Sequence, residues 1–182
     1  MAKRQVFYSF HYSNDNWRVW QVRNMGVIEG NKPVSSNDWE EVKKKGDDSI
    51  KKWIADNMNY RSCVVVLIGS ETSTRKWIKH EISKAWKDGK GVVGIYIHGL
   101  KNALGVQGEK GNNPFEKFCI DKTINYIVEN SKPADGNEVN MSSICEAHDT
   151  PFVSSEYVYS HIKANIEEWI EEAIRIRNKY PK

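Results

Sequence analysis

The residues of this chain best suited to chemistry stand together in Trp77-Ile-Lys-His-Glu81. A four-residue step puts Trp77 and Glu81 on one helix face, beside the Ile78/Ile82 apolar stripe and close to the helix start. A carboxylate that can accept hydrogen bonds or carry negative charge is thereby presented next to a ring that can wall a ligand. With seven Trp and 15 Glu in 182 positions the spacing also arises by composition, so its context decides what it means. The bland alternative is a solvated helix glutamate paired with Lys84, next to a Trp that only packs. Other constellations offer less. Cys145-Glu-Ala-His148 has a metal-like spacing but no second pair, so no metal site is expected. The run Lys43-Lys-Lys45 beside Glu40, Glu41, Asp47 and Asp48 reads as a solvated face. Glycine-rich phosphate cradles are missing from the loops, and Gly69-Ser70 stands where a phosphoacceptor receiver would need an aspartate.

The elements that must position Glu81 follow from periodicity. Residues 5–12 alternate and are aromatic-rich, which predicts a strand; Ser13, Asn14 and Asp15 offer caps to a helix carrying Trp17, Trp20 and Val22. Residues 26–38 read as a loop with at most a short strand near Val27-Ile28 or Val34. Ile50, Trp53, Ile54 and Met58 predict a helix capped by Asp47, Asp48 or Ser49. Cys63-Val-Val-Val-Leu-Ile68 is a continuous β-branched run, the pattern of a central parallel strand buried on both faces. Ser73 or Thr74 would cap the next helix, whose apolar face is Ile78, Ile82, Ala85 and Trp86, and Val92 to Ile97 repeats the buried-strand pattern. This alternation predicts an α/β domain with a mainly parallel sheet and right-handed crossovers. Residues 99–154 are rich in Gly, Asn, Pro, Lys and Ser and read as an irregular insertion, with a short strand at Thr123–Val128. A long helix from Ser155 to Asn178 closes a single domain over 1–182, its core in 1–98 and 155–180. Sites in such sheets lie at the carboxyl ends of the strands, which selects the loops after residues 11, 35, 69 and 98.

Composition bounds the class. The chain has 27 Lys and Arg against 24 Asp and Glu, a net +3, which is too little basic charge to predict a nucleic-acid partner. The longest apolar run, Cys63 to Ile68, is far too short to span a bilayer, and no membrane partner is expected. Three widely spaced cysteines and a strand pattern beginning at once suit a cytoplasmic protein with reduced thiols. The charge is local: residues 75–90 alone carry a net +4.

Val6-Phe-Tyr-Ser-Phe-His-Tyr12 resembles the first-strand box of TIR (Toll/interleukin-1 receptor) domains. Val64-Val-Val-Leu-Ile-Gly-Ser70 followed by Arg75-Lys-Trp77-Ile-Lys-His-Glu81 resembles their strand and catalytic-helix segment. Over residues 1–100 and the carboxyl helix the chain is similar to the TIR-like ThsB family of bacterial Thoeris antiphage systems. The box-two pattern of eukaryotic adaptors is not recognisable around Val22 to Gly30. The resemblance implies a flavodoxin-like, three-layer fold and an enzyme that cleaves NAD and cyclises its ADP-ribose part into a signal. The catalytic glutamate of the motif falls on Glu81. Trp77 would wall the ribose or nicotinamide, Phe7 and His11 would line the pocket from the first strand and its loop, Asp38 and Trp39 from the second, and Ser70 from the central strand's end. Phe10 stands three positions from Phe7, points the opposite way in a regular strand, and is expected in the core. NAD enters as substrate, with no resident cofactor. The expected partners are a downstream effector reached through the small-molecule signal, a phage-derived trigger and a second copy of the chain. The alternative is a non-catalytic TIR-like interaction module.

Overall fold

The computed structural model describes residues 4–26, 29, 30 and 36–182, of which 29, 30 and 36–39 are described as backbone only. The first part of the chain alternates β1 (Gln5–Ser9), α1 (Tyr12–Arg23), β2 (Glu29–Gly30), α2 (Ser36–Lys44), α3 (Asp47–Met58), β3 (Cys63–Ile68), α4 (Lys76–Lys87) and β4 (Gly91–Tyr96). Short strands β5 (Cys119–Asp121), β6 (Ile127–Val128), β7 (Glu138–Asn140) and β8 (Ala147–His148) follow, and α5 (Ser155–Arg177) closes the fold. The main sheet has the order β2-β1-β3-β4-β8 with every pair parallel. Strand order therefore reverses beside β1, and the crevice of a doubly wound sheet is expected between β1 and β3.

Both faces of the sheet are covered, which is why β3 tolerates six apolar residues in a row. Phe7, Val64, Val66, Ile68 and Val92 face α3 and α4, while Val6, Tyr8, Val65, Leu67 and Ile95 face α1 and α5. Period-two alternation along each strand divides the core into these two layers. Helix α1 turns Asp15, Arg18, Val19 and Val22 inward and leaves Trp17 and Trp20 about half exposed and stacked on each other. The expected Trp stripe is thus the outer face. Helix α2 replaces the end of the loop expected over 26–38, and the short strand expected near Val27-Ile28 is β2, directly after Ile28 and parallel to β1, whereas Val34 lies outside the described residues. Asp15 is a buried side chain and not a cap. It packs on Gly69, where any side chain would collide with its carboxyl.

The segment 99–154 is more ordered than its composition suggests. It forms a three-stranded antiparallel sheet, β6-β5-β7, and returns β8 to the edge of the main sheet. Phe115, Phe118, Ile120, Ile127 and Met141 join the apolar layer of α4, so the insertion completes that side of the core. Gly94 makes room for Phe115 on the sheet. Two buried guanidiniums fasten the segment. Arg18 donates to the carbonyls of Leu100 and Val106, at 2.9 and 3.1 Å. Arg177, fully buried, donates to the carbonyls of Trp86, Tyr180 and Pro181 and to Asn125, and lies 4.5 Å from the Trp86 ring centroid.

At Gly111 the segment rests on the end of β3, so closely that a Cβ there would overlap the Gly69 carbonyl oxygen. Because that neighbour is backbone, the strain cannot be relieved by a rotamer change. Gly111→Ala is expected to destabilise the protein by about 1–3 kcal/mol in a denaturant titration. Gly136→Ala, which meets no atom within 4 Å, is expected to stay within about 0.5 kcal/mol of the parent.

Candidate active site

A cavity of about 290 Å³ opens at the carboxyl end of β1, the strand beside which strand order reverses, and is walled by α2, α3 and α4. Glu81 is part of its wall. Helix α4 starts at Lys76 after a 3₁₀ turn over Thr72–Thr74, its N-cap Arg75 lying one or two residues past the caps expected at Thr74 or Ser73, and it buries Ile78, Ile82, Ala85 and Trp86 against the sheet. The four-residue step then places Trp77 and Glu81 on the edge of that seam facing the cavity.

Glu81 is only 7% exposed, and its Oε2 accepts a hydrogen bond from the Ser9 hydroxyl across the gap between α4 and β1. Burial disfavours the charged form and lifts the carboxyl to about 8, against which the Ser9 bond works. The solvated reading of Glu81 is therefore excluded, and the pairing once open to Lys84 goes to Asp88 at 2.8 Å. Burial therefore favours the neutral acid, the form that costs least in an apolar seam.

Phe7, His11 and Trp77 line the cavity together with Glu81. Trp77 is half-buried, edge-on to His80 with centroids 5.7 Å apart, and Lys76 lies 4.7 Å from its ring centroid. His11 follows β1 directly; burial and then the nearby Arg75 charge lower its basicity, which favours the neutral imidazole. Ser70 does not line the cavity: it is exposed past the end of β3, and Gly111 packs against its carbonyl and that of Gly69. Asp38 and Trp39 fall in the first turns of α2, and their side chains lie outside the described residues.

Several lining residues escaped sequence reasoning. Phe10 packs against the core layer of Val6 and Tyr8, as alternation predicts, and, standing just past the end of β1, also reaches the cavity lining. Trp53 reaches the cavity from α3, although its helical spacing reads as core. Lys43, expected on a solvated face, stands at the mouth with Arg75 and Lys76. Arg75 bonds Glu71 at 2.7 Å, and Glu71 also accepts from Asn14; both donors hold that carboxyl below its usual range. Ser9 had a legible signal, since it shares the parity of Phe7 on the same strand.

Residues 7–102, the part of the chain that builds β1 through β4, match the family model described as Thoeris protein ThsB, TIR-like domain. This chain belongs to that family. A protein of Bacillus cereus (strain MSX-D12), named "Putative cyclic ADP-D-ribose synthase ThsB1", is 40% identical over 121 residues. The aligned part covers 64% of this chain and 62% of that protein, so the likeness spans about three fifths of the relative's length. The ThsB match includes Phe7, Ser9, His11, Trp77 and Glu81, all the elements that meet at the cavity, and stops where the 99–154 segment begins. Among the described residues no helix is long and apolar enough to cross a membrane.

The buried carboxyl makes a stability prediction with a definite sign. Folding raises the affinity of Glu81 for its proton, so the parent loses stability as pH rises from its unfolded value near 4.5 to about 8. Gln at this position is uncharged and similar in shape. Glu81→Gln is expected to fold normally and to gain on the parent as pH rises through that window, by at most about 1.4 kcal/mol per unit, in denaturant titrations at several pH values.

Proposed function

We propose that this ThsB TIR-like domain cleaves NAD at the nicotinamide N-glycosidic bond and cyclises the ADP-ribose part into a signal of the cyclic ADP-ribose class. The observation that carries this reading is the buried Glu81 carboxyl, beside Trp77 and at the sheet's switch point. The name of the B. cereus relative supports it. In bacterial antiviral (Thoeris) defence, the signal would reach a separate effector, with a phage component as trigger.

The chemistry asks for one carboxylate. Nicotinamide leaves NAD as a neutral ring from a cationic glycoside, so no acid is needed to protonate it, unlike ordinary glycoside hydrolysis. As the C1′–N bond breaks, positive charge develops on the ribose, and a negative group held in a dry pocket stabilises it. The ionisation of Glu81 is conditional. Burial favours the neutral carboxyl, and the pyridinium of the substrate would supply the nearby positive charge that favours its anion. Ionised Glu81 can then accept hydrogen bonds from the ribose hydroxyls and orient the group of the same molecule that attacks C1′, taking up its proton. The ring closes when the C1′–O bond forms and nicotinamide departs.

Size and charge agree with this arrangement. A volume of about 290 Å³ suits the nicotinamide riboside half of the substrate, walled by Phe7, Phe10 and Trp77. Lys43, Arg75 and Lys76 at the mouth provide positive potential for the diphosphate.

Two measurements test the reading. Mass-resolved NAD products in lysates of infected cells are expected to include a cyclised ADP-ribose species with the parent and none with Glu81→Gln at equal protein level; equal product from both would sink the enzyme reading in favour of a non-catalytic interaction module. Calorimetry with the purified protein is expected to show proton release on NAD binding, with affinity rising from about pH 6 to pH 8 in the parent and flat in Glu81→Gln.

A further inference from the structure

The geometry points to Ser9 as a positioning residue: its hydroxyl, donated from the end of β1 to Glu81 Oε2, fixes that oxygen and leaves the carboxyl's other oxygen to the cavity. This rests on the reading of Glu81 as the catalytic carboxylate and adds a distinct residue to it.

Three observations carry the inference. Ser9 is the last residue of β1 and pairs in parallel register with Val66, so its backbone is held by the sheet and not by a loop. It is 1% exposed in a strand whose preceding residues Val6, Phe7 and Tyr8 are all buried and apolar or aromatic. A hydroxyl in such a place is costly unless bonded, and among the described residues its recorded side-chain bond is the one to Glu81. The acceptor is anchored equally well, because Ile78, Ile82 and Ala85 lock α4 onto the sheet on either side of Glu81. A glutamate has three side-chain torsions, and a fixed backbone alone leaves its carboxyl free to swing within the seam. The Ser9 bond removes that freedom by joining two rigid elements, strand and helix, at the atoms that matter.

The same bond tunes ionisation. A hydroxyl donating to a carboxylate favours the charged form, and here it opposes the burial that keeps Glu81 neutral. Without it, substrate would have to ionise a more reluctant and less well aimed carboxyl. Packing alone makes no such demand, since Ala or Cys would fill the position as well.

Carboxyl carbon NMR of the purified protein labelled at glutamate tests this without any trigger or turnover, with Glu81→Gln identifying the signal. Ser9→Ala is expected to move the Glu81 titration upward by about one pH unit. Ser9→Cys, which keeps the size but donates weakly, must move it in the same direction and serves if the alanine variant folds poorly. Ser9→Thr, which keeps the hydroxyl, is expected to restore a titration near the parent's. In lysates of infected cells the Ala variant is expected to lower cyclised product about tenfold at equal protein level, with Thr retaining most of it. An unmoved titration in both the Ala and Cys variants overturns the proposal, and so does a moved titration with unchanged product when Glu81→Gln abolishes that product. If the titration moves while parent and Glu81→Gln yield the same product, the NAD reading fails and the Ser9–Glu81 coupling stands.

Discussion

A carboxyl group shut into an apolar helix–sheet seam constrains everything around it. Helix α4 must lie tightly on β1 and β3 to bury Ile78, Ile82, Ala85 and Trp86, and Glu81 is buried with them. An isolated carboxylate there would cost several kcal/mol, and burial accordingly lifts the group to about 8. The pocket is thereby more than a hole beside a helix. Its main chemical group is a buried carboxyl that accepts the Ser9 hydroxyl from the end of β1.

The rest of the architecture holds this seam in place. The two-faced sheet gives α4 a rigid floor, and the 99–154 segment gives it a second wall through Phe115, Phe118 and Ile127. That wall is fastened by guanidiniums bonded largely to main-chain carbonyls. Arg177 ties α5 to the end of α4 and to Asn125, and Arg18 ties α1 to the chain after β4. Gly69 and Gly111 permit close backbone contact at the end of β3. The cavity opens on the side of β1, where Lys43, Arg75 and Lys76 ring the mouth. Each of these cations has an acidic neighbour, Glu40, Glu71 and Asp47 respectively.

Most of the α/β frame was legible because burial on both faces of a parallel sheet demands uninterrupted β-branched runs, as in Cys63–Ile68, and because helices lying on it must show a stripe, as in α4 and α5. The Trp77–Glu81 pair was legible for the same reason, since helical spacing fixes which residues share a face. Where a turn or a chain end interrupts the period, local rules fail. Trp17 and Trp20 read as an inward stripe and face outward, because Arg18 and Asp15 are drawn inside by the carbonyls and glycine they meet. The segment 99–154 showed little periodicity because its strands are two or three residues long and depend on partners far along the chain.

The sequence by itself determined the sheet's central strands, the helix that carries Glu81 and the membership in a TIR-like family, because each rests on patterns within a few turns of chain. Only the tertiary structure decided that Glu81 is buried, that Ser9 is its partner, that Phe10 and Trp53 join Phe7 at the cavity, and that Ser70 does not. Ionisation and pocket shape depend on which atoms exclude water from a given place, and those atoms come from residues as much as 72 positions apart, brought together when strand order and helix packing close the core.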